Sequence, residues 1–330
     1  MEIQHSMSRW SKYLLIVSSI FLISCGNQTD QHVVLDPPQD VGKVVERPDF
    51  SSDSAYYFIE RQVDFGPRVP GTDAHKACAD WIVSTLERFG ADVQVQATQL
   101  TTAEQKSVPC YNIIGSYNKD AKQRVLLAAH WDTRPWADQD TENRQQPILG
   151  ANDGGSGVGV LLEIARQIQK TDLDLGIDII FFDVEDSGLP NVQDSYCLGS
   201  QYWGRNLHEK DYYAQNGILL DMVGAAGAKF SMEGHSMKVN PDLVNKLWEV
   251  GHKLGHKQYF IYKTTAPIID DHYYVYQTTR IPMIDVIQND PTTLTGFGSY
   301  WHTHDDNMDI ISKKTLQAVG ETVIATIKLK

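Results

Sequence analysis

The residues that most constrain this chain are Ile177-Asp178-Ile179-Ile180-Phe181-Phe182, a nearly continuous apolar run that leads into Asp183-Val184-Glu185-Asp186. A short apolar run bounded by turn signals reads as a strand buried on both faces. In an open α/β sheet, ligands gather beyond the carboxyl ends of the strands. Two neighbouring carboxylates at such an end can divide two tasks, one binding a metal and the other moving protons.

Other apolar segments end in the same kinds of residue. Residues 125–129 run into His130-Trp131-Asp132, and residues 217–220 end at Asp221. Gly150-Ala151-Asn152-Asp153-Gly154 precedes a helical pattern, and Trp301-His302-Thr303-His304-Asp305-Asp306 lies near the end of the chain. Each alone has an ordinary explanation. A strand-end histidine is usually hydrogen-bonded, Asp153 can cap a helix beside turn glycines, and Asp305-Asp306 reads as a helix cap. Together, Asp and His on separate strand ends give the imidazole and carboxylate donors of a zinc-type site.

Periodicity places helices at residues 51–62, 154–170, 198–207, 241–254 and 313–329, with another after Thr72 as its N-cap. Strands are expected at 93–97, 111–117, 124–129, 177–182, 217–220 and 282–287. Such alternation predicts one α/β domain, with a central mixed, mostly parallel twisted sheet flanked by helices on both faces.

The first residues do not belong to that domain. Arg9 and Lys12 precede an apolar run at 13–23, too short to span a bilayer and shaped like a signal-peptide core. It ends Leu22-Ile23-Ser24-Cys25-Gly26, similar to the lipobox of bacterial lipoproteins. Residues 1–25 are therefore read as a lipoprotein signal peptide with Cys25 lipidated, 26–47 as a polar tether, and 48–330 as the domain. This predicts an exported protein, lipid-anchored to the bacterial cell envelope, its domain in the periplasm or at the surface. Cys78, Cys110 and Cys197 then form either one disulfide and a thiol or three buried thiols. A formal charge of −13 with no basic stripe excludes nucleic acid as a partner.

Taken in order, His130-Trp131-Asp132, Gly150 to Asp153, Phe182 to Asp186, Asp221 and Trp301-His302-Thr303 resemble the motifs of the zinc-dependent aminopeptidase superfamily. Several details are similar to its animal-type glutaminyl cyclase branch. These are Trp301-His302-Thr303, Asp270-Asp271-His272 followed by Ile281-Pro282-Met283, Gln193-Asp194-Ser195 with Leu198-Gly199-Ser200, and Leu220-Asp221-Met222-Val223-Gly224-Ala225. The resemblance covers nearly all of the chain beyond Ser51. It implies a zinc-dependent glutaminyl-peptide cyclotransferase, acting on peptide or protein N-termini that begin with Gln and releasing ammonia as pyroglutamate forms.

By the same resemblance, Asp153, Asp186 and His302 hold one zinc. Glu185 is the general acid–base with Asp221 and Asp270 as partners, and Trp301, Phe297 and His130 belong to the substrate pocket. Asp186 departs from the animal enzymes, which have glutamate there. The loop Ser187-Gly188-Leu189-Pro190-Asn191 also lacks their pocket tryptophan, leaving Trp131 and Trp136 as replacements on reach. His304 is second to His302 as a ligand, and His272 is read as orienting a neighbour. His75, His208, His235, His252 and His256 are expected at the surface. The alternative is an exported aminopeptidase with two zincs, in which His130 and Asp221 join the ligands. A non-catalytic binding domain on the same fold is a third reading.

Overall fold

The computed structural model describes residues 45–170 and 174–327; the expected signal peptide, Cys25 and nearly all of the tether lie outside them. Strands β1 (Asp92–Thr101), β2 (Ser107–Tyr117), β3 (Arg124–His130), β4 (Gly176–Phe182) and β5 (Asn216–Asp221) belong to one sheet. Short strands β6 (Phe230–Met232) and β7 (Phe260–Thr264) pair in parallel as a separate two-stranded sheet. With β8 (Met283–Ile287), the large sheet has the order β1-β2-β4-β3-β5-β8. Its four strands β4, β3, β5 and β8 are parallel, and β1 and β2 are antiparallel. The mixed, mostly parallel sheet expected from the sequence is the one observed.

Helices α1 (Ser52–Asp64), α2 (Asp73–Arg88), α3 (Gly155–Ile168), α4 (Leu198–Arg205), α5 (Gly234–Val239), α6 (Pro241–Lys253), α7 (Asp271–Thr279) and α8 (Lys313–Ile327) surround it. Thr72 caps α2 by accepting the His75 amide at 3.2 Å. Residues alternate between the two faces of each strand. On β4, Ile177, Ile179 and Phe181 join one core with residues of α1, α3, α6 and α8, while Ile180 and Phe182 join a second with Trp203 of α4 and Val275 of α7. Each such side chain stabilises the fold by about 1.5–3 kcal/mol on burial.

Asp178 interrupts this run without weakening it. Its oxygens lie 2.7 Å from Arg124 Nε and Nη2, and they also accept from Ser116 and Tyr212. A buried carboxylate so fully partnered is tolerated.

No helix among the described residues is long and apolar enough to cross a membrane. Cys78, Cys110 and Cys197 are all free and buried, which selects the three-thiol reading.

Candidate metal centre and pocket

The parallel register brings the chemistry to one edge. His130 is level with Phe182, the last residue of β4, and Ala128 pairs with Leu219, so His130 and Asp221 finish their strands together. After β4 the chain turns sharply through Val184, whose φ of 53° is in the left-handed region. For a β-branched residue that conformation costs on the order of 1–3 kcal/mol and needs outside support. Asp132 supplies it, accepting the amides of Glu185 at 3.0 Å and Asp186 at 3.2 Å. Asp183 adds to it by accepting from Tyr111 N at 2.6 Å and Val184 N at 2.8 Å. His75 Nε2 lies 2.9 Å from both oxygens of Asp183, and its ring stacks on Trp131 at 4.5 Å.

His75 is thus fully buried rather than at the surface. Its companions also have partners: His235 is buried, His208 stacks on Trp203, His252 reaches the Phe260 carbonyl, and His256 pairs with Glu321. A histidine on a helix carries no sequence mark of what a distant strand presents to it.

The turn that carries Asp153 is clamped from two sides. Asp306 accepts the amides of Asn152 at 2.7 Å and Asp153 at 3.0 Å. Buried Arg68 donates to the Gly150 carbonyl at 2.8 Å and the Trp131 carbonyl at 3.2 Å. Gly154, at φ 78°, is required here because a Cβ would lie 2.7 Å from the Asp132 carbonyl oxygen. Asp306 is therefore not the expected helix cap. Asn307 caps the 3-10 turn Met308–Ile310, while Asp306 fixes the loop that carries Asp153. Burial, reinforced by Asp153, pushes the Asp306 carboxyl up to about 7.

Asp153, Asp186 and His302 each place a donor atom within 4.8 Å of the others. His302 Nε2 lies 3.3 Å from Asp186 Oδ1 and 3.7 Å from Asp153 Oδ2. Its Nδ1 lies 3.2 Å from Asp138 Oδ1, at ion-pair distance but outside hydrogen-bond geometry. Buried Arg134 ties the group together. It makes two bonds to Asp138, at 2.7 and 2.8 Å, and donates to Asp186 Oδ1 at 3.0 Å. Burial raises the Asp186 carboxyl, but His302 and Arg134 outweigh it and hold the group below its ordinary value.

Asp186 Oδ2 is buried with no hydrogen-bond partner. An orphaned carboxylate oxygen beside an imidazole and a second carboxylate fits a zinc ion. Asp186 joins this group despite its short side chain. His130, Asp153 and Asp221 form a second close group that shares Asp153. His130 Nε2 lies 3.0 Å from Asp153 Oδ1 and 3.2 Å from Asp221 Oδ1. His304 pairs with Asp140 instead, at 2.7 Å.

A pocket of ≈ 220 Å³ opens onto this centre, with Glu185, Asp186, Asp221 and Asp270 among its lining residues. Phe297 and Trp301 form one wall, their ring centroids 4.9 Å apart, and Trp301 stacks on His302 at 3.6 Å. Tyr196, Ile268 and Ile269 also line it. Trp131 and Trp136 do not line it: Trp131 is packed on His75, and Trp136 lies against Arg134. His130 is also displaced from its expected place in the pocket. It is 2% exposed, does not line the pocket, and links Asp153 to Asp221.

Glu233 holds the Ile268 side of the pocket. Its carboxylate accepts the Ile268 amide at 2.8 Å, caps α5 through His235 N and Ser236 N, and meets His272 Nε2 at 3.2 Å. Burial raises the Glu185 carboxyl well above its usual range; Asp186, Asp270 and Asp271 add to this while His130 opposes it.

Residues 112–327 match the model of peptidase family M28. The chain belongs to that family. Among solved structures, it is 50% identical to the glutaminyl cyclase of Tannerella forsythia, with a TM-score of 0.83 over 85% of this chain and 99% of that one. It is 49% identical to a Zn-dependent exopeptidase from Parabacteroides distasonis, with a TM-score of 0.84 over 86% and 99%. Aminopeptidase YwaD of Bacillus subtilis is 29% identical over 62% of this chain, which spans 40% of that relative's length.

Proposed function

We propose that this M28-family protein is a glutaminyl-peptide cyclotransferase with one zinc per chain. The observation that carries the reading is Glu185, a half-buried carboxylate that lines an aromatic-walled pocket, adjacent in sequence to the metal-facing Asp186. The half-identical cyclase structure supports it. His130, Asp153 and Asp221 could hold a second ion, so the number of zincs bound decides between this reading and the aminopeptidase one.

Asp153, Asp186 and His302 would hold the zinc, whose Lewis acidity would supply charge stabilisation at the side-chain carbonyl of the substrate. The protein's own residues do the rest. Phe297 and Trp301 confine the glutamine side chain and exclude competing water, so that amine and amide meet in a near-attack geometry. Glu185 takes a proton from the α-amine as its nitrogen bonds to the amide carbon. The same carboxyl then returns a proton to the departing nitrogen, and the carbon–nitrogen bond breaks to release ammonia. A carboxyl held above its ordinary range by burial and by its acidic neighbours is suited to both transfers.

The test is ammonia release from a Gln-initiated dipeptide, with zinc counted on the same sample. About one zinc with ammonia release is expected. About two, with free amino acids as products, would establish the aminopeptidase reading. We further propose that Cys25 carries a lipid anchoring the exported enzyme to the cell envelope; labelled fatty acid should enter the wild-type protein and not Cys25→Ala.

A further inference from the structure

Cys197 lies immediately behind the catalytic carboxylate. Its Sγ is 3.2 Å from Glu185 Oε1, and the residue stands in the left-handed region, φ 57°, at the start of α4. Glu185, Cys197 and Asp270 each offer a donor atom within 4.8 Å of the other two. Asp270 is 5% exposed, and its Oδ2 is buried without a hydrogen-bond partner. Glu185 and Asp270 both line the pocket, so an ion arriving from solvent meets the two carboxylates before the sulfur. None of the three belongs to the Asp153, Asp186 and His302 group. We propose that Glu185, Cys197 and Asp270 form a second, inhibitory metal site, selective for thiophilic divalent cations such as Cd²⁺ and excess Zn²⁺.

The donor set explains the selectivity. One thiolate and two carboxylates suit borderline and soft ions, whereas Mg²⁺ and Ca²⁺ require oxygen donors alone. Binding breaks the S–H bond, forms a sulfur–metal bond and releases the proton to solvent. Apparent affinity therefore rises about tenfold for each pH unit while the thiol is protonated. Occupation ties up Glu185 in coordination, so that it can no longer accept or return a proton. Inhibition as such rests on the proposed role of Glu185; the site itself does not.

The experiment uses the zinc-loaded enzyme and Cd²⁺ as the probe. Bound cadmium, retained zinc, sulfur-to-cadmium charge-transfer absorption and ammonia release are followed in wild type, Cys197→Ser and Cys197→Ala, with melting temperature as the check on folding. Expected in wild type are one added Cd²⁺ with the zinc retained, charge-transfer absorption and loss of turnover. Either variant should lose the absorption and need at least tenfold more Cd²⁺ for inhibition, while turning over normally without it. Equal inhibition of folded variants and wild type, or zinc released as Cd²⁺ binds, would overturn the proposal. If the absorption appears and depends on Cys197 in a protein that releases no ammonia, the site stands and the cyclase reading falls.

Discussion

Arg134 Nη1 lies 3.0 Å from Asp186 Oδ1, so a fully buried guanidinium shares a carboxylate with the proposed metal position. The same guanidinium also grips Asp138, which faces the far nitrogen of His302. One side chain therefore touches one of the three proposed zinc donors directly and a second through Asp138.

Arg134→Lys keeps the charge but loses the planar fork. Zinc affinity should fall by about 10–100-fold, the usual cost of losing an outer-shell partner. Competition against a chelator, with folding checked by circular dichroism, measures this; unchanged affinity would remove Arg134 from the role.

Glu185 and Asp186 are neighbours with separable roles. Glu185→Gln should keep its zinc and lose at least 100-fold in kcat, in line with general acid–base contributions. Asp186→Ala should lose the metal itself. Zinc analysis beside single-substrate kinetics separates the two, and a metal-free Glu185→Gln would reverse the assignment.

Trp301 lies on the face of His302 at one side of the pocket. Trp301→Ala removes apolar contact made in ground state and transition state alike. KM should rise about tenfold, equivalent to about 1.4 kcal/mol, with a smaller change in kcat. A fall in kcat at constant KM would mean that the ring acts only in the transition state.

Glu233 connects stability to acidity. Burial raises its carboxyl, but His272 and the amides of α5 outweigh this and bring it from 4.5 down to about 2. Because the folded value is depressed, the stabilisation is present above pH 4.5 and is lost as pH falls toward 2. Its size is on the order of 3 kcal/mol. Glu233→Gln should unfold more easily at neutral pH, and the gap from wild type should narrow below pH 4.5. Denaturant melts across that range test it, a constant gap being the contrary result.

The sequence exposed the strand ends because buried parallel strands are written as continuous apolar runs, and His130, Glu185, Asp186 and Asp221 follow such runs directly. It was silent where a side chain acts at long range. Arg134 reads as an ordinary loop arginine, and only the fold brings it to residue 186. Asp306 looks like a helix cap because the local signal is the same whether the amides it accepts are nearby or about 150 positions away. β6, with three residues, is too short to show periodicity, and α7 presents no apolar stripe and ends on Arg280 in the left-handed region without a glycine.

The left-handed turn at Val184 also bears on how the molecule assembles. Asp132, which follows β3, and the Tyr111 amide of β2 both take part in holding it. The shape that presents Glu185 and Asp186 thus cannot arise within its own segment. It exists only once β2, β3 and β4 have zipped together, so the placement of Glu185 and Asp186 should be a late arrival in folding and a faithful reporter of its completion. A fragment that carries the Asp183 to Asp186 run but lacks those partner strands would inherit the motif without the geometry.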